Sequence, residues 1–197
     1  MRRHTALSAI FLAVALLICT SETRGQDCSF PPKELTQGRS REFRGPYENK
    51  AYGYSVEIPA DLVGYDSANP FYQNGLGIII GGEPKSYIVV DGEKNSLEFT
   101  GPADAATRFL EYLRKHASKV ESSRITASQL GPLKAAFLVA TYTCPGSAER
   151  YAKASMIAIS PDKSNLYEIT LFARSDHFDH DRVVLDALVK SWKYLGQ

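Results

Sequence analysis

The chain has little of what marks most functional classes. No charge sign dominates: 23 Lys+Arg stand against 22 Asp+Glu, a formal net charge of +1 over 197 residues. That gives no electrostatic case for nucleic acid or an anionic membrane surface. Cysteines number only 3, and no two form a Cys-x-x-Cys pair, so a catalytic dithiol is not written in the chain. No Gly-x-Ser-x-Gly, His-Glu-x-x-His or Walker-type stretch occurs. Gly75, Gly77, Gly81 and Gly82 bracket an apolar strand. Turn and strand follow them, so they read as hairpin geometry rather than a phosphate loop, which needs a helix N-terminus. There is no internal repeat and no low-complexity block. Long apolar runs are also missing, with one exception at the start of the chain.

That exception follows Arg2 and Arg3 and fills residues 6–18. It is too short to span a bilayer, which takes about 20 residues. Thr20, Ser21, Thr23 and Gly25 come directly after it. A basic start, a short apolar centre and small residues are the layout of a secretory signal peptide. Thr23 and Gly25 stand three and one positions before a cut ahead of Gln26; a cut after Ser21 is the alternative. Cys19 would be the acylated residue of a lipoprotein, but Ile18 stands where a small residue is needed. Removing residues 1–25 takes Arg2, Arg3, Arg24 and Glu22 and leaves a net charge of −1. Cys28 and Cys144 remain, and two cysteines in an oxidising compartment are expected to pair. The large loop so closed is worth up to about 4–5 kcal/mol in the chain-entropy picture. The expected location is therefore secreted or periplasmic, with no stable membrane insertion after cleavage.

Residues 26–46 are polar, with Pro31 and Pro32 and basic Arg39, Arg41 and Arg44. They read as an extended or disordered leader. A single domain is expected over 47–197. Strands are expected at 54–58, 76–80, 87–91, 124–130, 133–144, 151–159 and 166–174 from alternating or continuous apolar runs bounded by Gly and Pro. Ala106, Phe109, Leu110, Leu113 and Ala117 make the apolar stripe of a helix opened by Pro102. Val184, Leu185, Leu188, Val189 and Trp192 make the stripe of a second, over 180–192. Strands joined by short turns, with helices before and after, imply an α+β fold with a mainly antiparallel sheet.

Tyr52-Gly53-Tyr54 entering a strand that stops at Pro59 is similar to the opening of Mog1/PsbP-like domains. Ser191-Trp192-Lys193-Tyr194 after the last helix resembles that superfamily's exit. The resemblance spans residues 47–195. It implies an α/β/α sandwich around an antiparallel sheet and, for function, a binding or accessory role without catalysis; it implies no cofactor.

Two stretches carry candidate sites. Tyr65, Asn69, Phe71, Tyr72 and Asn74 lie in an irregular segment mixing aromatics with small polar residues, a composition suited to contact with a protein or small-molecule ligand. Alternatively, these aromatics fold inward and cap the sheet. Asp176, His177, Asp179, His180 and Asp181 form the one metal-like cluster, which would serve a small metal-dependent hydrolase. Acids are equally at home in a helix's first turn, and no metal is assigned. Function thus stands between a secreted binding or accessory protein, that hydrolase, and a chaperone-like or partner-neutralising protein.

Overall fold

The computed structural model describes residues 41–66, 74–81 and 86–196. Among these described residues eleven strands and two helices follow in the order β1 (Arg41–Phe43), β2 (Gly45–Asn49), β3 (Tyr54–Ile58), β4 (Gly64–Asp66), β5 (Leu76–Ile80), β6 (Ser86–Lys94), α1 (Pro102–His116), β7 (Lys119–Leu130), β8 (Leu133–Thr143), β9 (Arg150–Ile159), β10 (Asn165–Arg174), α2 (Phe178–Ser191) and β11 (Lys193–Tyr194). Eight strands form one sheet in the order β1-β4-β5-β6-β10-β9-β8-β7. Every pairing in it is antiparallel. A smaller sheet, β11-β3-β2, packs beside α2. The α+β architecture expected from the sequence is the one observed.

The alternation of side chains sorts the core into two layers. Leu76, Ile78, Ile88, Val90, Met156, Ile169 and Leu171 face one way, under α2 and the small sheet, with Leu185, Leu188, Tyr54 and Trp192 above them. Ala136, Leu138, Ala140, Ile157 and Leu166 face the other, under Ala106, Leu110 and Leu113 of α1. Alanine on β8 lets α1 sit close. Trp192 stacks on Tyr54 with ring centroids 6.2 Å apart and meets Tyr167 edge-on at 5.4 Å. Gly131, in the β7–β8 turn, has φ +54, and a Cβ there would stand 3.2 Å from the Trp192 ring. Glycine is thus required twice over, for the left-handed backbone and for the close approach.

Four strands were not expected. β1, β4 and β11 have two or three residues each, too few for any periodicity. β2 contains Pro46, which an edge strand tolerates because one side of it needs no ladder donor. The leader expected over 26–46 therefore ends in strands from Arg41 onward. β7 also begins five residues earlier than expected, through Lys119, Glu121, Ser122 and Ser123. Those exposed polar residues hide the strand in the sequence, and they suit the sheet's long edge, where they discourage edge-to-edge pairing.

Candidate functional site

Each helix covers only part of its sheet face. α1 packs on β7, β8 and β9, while α2 packs on β10 and β3. Two diagonal quarters of the large sheet are left without a described helix over them: β7–β8 on the α2 side, and β5–β6–β10 on the α1 side.

The β7–β8 quarter is a groove of about 460 Å³. Phe137 and Val139 of β8 form its apolar floor, Ser122, Arg124 and Thr126 of β7 its outer side, and Arg182 of α2 its wall. The register places Arg124 opposite Val139 and Thr126 opposite Phe137, so all four share this face. The Arg182 guanidinium lies 5.3 Å from the Phe137 ring centroid, a cation–π distance. Its Nε is shielded from solvent and makes no hydrogen bond among the described residues. Asp186 at 3.7 Å supplies charge but is beyond hydrogen-bond reach. The groove thus combines apolar floor, hydroxyls and two guanidinium groups, a donor set for a planar anionic group on an apolar body.

The β5–β6–β10 quarter carries a polar floor. One row runs Ser155, Thr170, Val89, Gly77, Tyr65 across β9, β10, β6, β5 and β4. Thr170 Oγ1 shares hydrogen bonds with Ser155 Oγ at 2.7 Å and with Glu168 Oε1. Glu168 sits directly across from Asp91, and Glu93 follows two residues along the same face. Burial first, then the Glu93 carboxylate, push the Asp91 carboxyl up from 3.8 to about 7, against the Gly92 N–H that donates to its Oδ1 at 2.9 Å. Burial and then Glu168 raise Glu93 as well. Like charges facing across a ladder are unfavourable, and a carboxyl poised near neutrality is a feature concentrated at functional sites. At one end of this floor, Lys153 Nζ stands 4.8 Å from the Phe172 ring centroid, and Phe172 stacks on Tyr87 at 4.6 Å.

Of the residues expected from the sequence, Tyr65 is half-buried on this α1-side face, opposite Gly77. The Asn74 carbonyl accepts from the Asn49 side-chain amide at 2.5 Å and from the Tyr54 hydroxyl at 3.1 Å. It thereby latches the small sheet to the start of β5. Asn69, Phe71 and Tyr72 lie outside the described residues, as does Cys28. Cys144 is 4% exposed just past the end of β8. The 176–181 cluster is dispersed among other tasks. Asp176 pairs with Arg174 at 2.9 Å. Asp181, buried, accepts from Ser86 and from His180 Nδ1, the latter at 2.8 Å. Among the described residues no group of three or more His, Cys, Asp or Glu is placed to hold a metal ion.

Sequence reading missed Asp91, Glu93 and Thr170 on one quarter, and Arg124, Phe137 and Arg182 on the other. The alternation Tyr87, Val89, Asp91, Glu93 does place two acids on one face of β6. Only the return of β10 beside β6 brings Glu168 to them.

No family model matches the chain, and no curated protein matches it in sequence. Solved structures do resemble it. One from Bacteroides thetaiotaomicron VPI-5482 has a TM-score of 0.51 at 8% identity, covering 78% of this chain and 49% of that one. This chain thus spans about half the length of that protein. The cyanobacterial PsbP (CyanoP) of Synechocystis sp. PCC 6803 has a TM-score of 0.47 at 11% identity, covering 80% of this chain and 94% of its own. LpqN of Mycobacterium tuberculosis, involved in cell envelope biogenesis, has a TM-score of 0.47 at 13% identity, covering 82% and 95%. What the chain shares with the first of these is a fold, an antiparallel sheet between helices, and nothing more specific.

Proposed function

We propose that this is an extracytoplasmic, non-enzymatic binding or accessory protein of PsbP-like kind, exported by a signal peptide cut after Gly25. The observation that carries the binding reading is the β7–β8 groove. An apolar floor beside two arginines, one with a donor that has no hydrogen-bond partner among the described residues, fits a ligand that joins an aromatic or aliphatic body to a carboxylate, sulfonate or phosphate. The layout of residues 1–25 supports export. No described helix is long and apolar enough to cross a membrane. The opening and closing motifs, Tyr52-Gly53-Tyr54 and Ser191-Trp192-Lys193-Tyr194, support the kinship. In an oxidising compartment Cys28 and Cys144 join in a disulfide.

Titration with 1-anilinonaphthalene-8-sulfonate, an aromatic sulfonate, tests the groove. Saturable binding is expected, weakened at least tenfold by Arg124→Ala combined with Arg182→Ala at an unchanged melting temperature. Equal binding by the parent and the double variant would remove the groove from the reading.

A further inference from the structure

The β7–β8 groove has a carboxylate of its own beside it. Asp186 follows Arg182 by one turn on α2, and its Oδ2 stands 3.7 Å from the Arg182 Nε. Helix stability gives little reason for this pair. A cation placed before an anion at i,i+4 is the weaker order on a helix. Exposed ion pairs contribute little in any case, and the Asp186 side chain is 62% exposed. The Nε itself stays shielded and without a hydrogen-bond partner among the described residues. What Asp186 does supply is one negative charge against one of the groove's two arginines.

The charge that meets a ligand follows from the lining and its neighbours. Arg124 is exposed on β7 and forms no ion pair among the described residues. Glu121, at the irregularity in β7, is held by Arg150 at 2.5 Å. Arg114 donates to Ser123 at 3.4 Å from α1, on the other side of the sheet. Asp179, a turn before Arg182, is exposed to solvent. The hydroxyls are engaged within the sheet: Ser122 shares a hydrogen bond with Thr141 at 2.6 Å, and Thr126 donates to the Phe137 carbonyl at 3.5 Å. An incoming anion therefore meets two guanidinium groups and one carboxylate, a single net positive charge.

We infer that Asp186 sets the charge this groove accepts, selecting a singly charged carboxylate or sulfonate over a doubly charged phosphate monoester on the same apolar body. The inference rests on the groove reading above and narrows its ligand class. A monoanion laid against Arg124 and Arg182 brings the site to neutrality. A dianion leaves one negative charge in excess. That charge sits near Asp186 and over the apolar floor of Phe137 and Val139, where the ligand itself displaces water and an unmatched charge is poorly solvated. At about 6 Å from the Asp186 carboxylate, in a medium between the protein surface and bulk water, the extra repulsion weakens binding about three- to tenfold. Asp186 acts through Arg182 and through its field, so it is a specificity residue and makes no contact that the ligand needs.

Titration of the whole chain with naphthalene-1-sulfonate and with 1-naphthyl phosphate at pH 8 tests this. The two probes share a ring system and differ by one charge, since a phosphate monoester loses its second proton near pH of about 6. The parent is expected to bind the sulfonate more tightly. Asp186→Asn is expected to strengthen both, and to strengthen the phosphate about three- to tenfold more than the sulfonate. Asp186→Glu should keep the parent's ratio, and high salt should shrink the shift. Melting temperatures of both variants should stay within about 2 °C of the parent, because the pair is exposed. A parent that prefers the phosphate, or an Asp186→Asn variant that changes both affinities by the same factor or neither, overturns the role of Asp186 alone. If the parent binds neither probe, or Arg124→Ala combined with Arg182→Ala leaves both affinities unchanged, the groove reading fails and this inference fails with it.

Discussion

Replacing Asp91 by Asn should stabilise the protein at alkaline pH and leave it unchanged in acid. Asp91 faces Glu168 across the ladder, with Glu93 beside it, and burial first and Glu93 second hold its carboxyl at about 7 instead of 3.8. Between those values the native chain keeps a proton that the unfolded chain has lost. Stability therefore falls as pH rises from about 4 to about 7, by at most about 4 kcal/mol for this group. Asp91 retains some exposure, and solvent screens part of the cost, so about 2 kcal/mol is the working expectation. Asn keeps the oxygen that accepts from Gly92 N–H and cannot ionise. Urea unfolding of parent and Asp91→Asn at half-unit steps from pH 4 to pH 8 reads the difference directly. The two curves should coincide near pH 4 and separate progressively toward pH 8, with the variant higher. A parent whose stability is flat over that range would refute the reasoning, and so would a variant offset equally at every pH.

The other expectations concern packing. Gly75→Ala would set a Cβ 1.9 Å from the Val90 carbonyl oxygen; β5 and β6 must part, and a melting temperature lower by about 10 °C or more is expected by calorimetry. Gly131→Val meets both the left-handed φ and the Trp192 ring, so it should cost about 2 kcal/mol or more and shift Trp192 fluorescence. Asp181→Ala leaves the buried Ser86 hydroxyl without its acceptor and should cost about 1–3 kcal/mol; adding Ser86→Ala should recover part of that loss, as a double-mutant cycle would show.

The layers of this fold were legible because apolar spacing is a local property. Tyr167, Ile169, Leu171 and Ala173 alternate on β10, and Ala106, Leu110 and Leu113 recur on α1, so each face could be named before its partner was known. The short strands were not legible, since two or three residues carry no period. The surfaces were illegible for a different reason. Arg182 meets Phe137, and Asp91 meets Glu168, only because of which strands neighbour which. The sequence pattern of 176–181 drew attention to chemistry, yet Arg174, two residues before it, and Ser86, far away on β6, take up its carboxylates. Asn74 shows the same limit from the other side: it lies in the right segment, but its backbone carbonyl is spent on Asn49 and Tyr54.

The position of β10 bears on how such a chain comes to be folded at all. β1, β4, β5 and β6 form one ribbon, and β7, β8 and β9 form another; β10 alone joins them, pairing with β6 on one side and β9 on the other. Its partners on β6 lie 71 to 85 residues upstream, a costly loop to close before any reward. The two ribbons stay unjoined until the last quarter of the chain is free. Under the export proposed above, a polypeptide threaded across a membrane N-terminus first would benefit from that order, because the premature assembly that would jam its passage waits on a strand that emerges near the end.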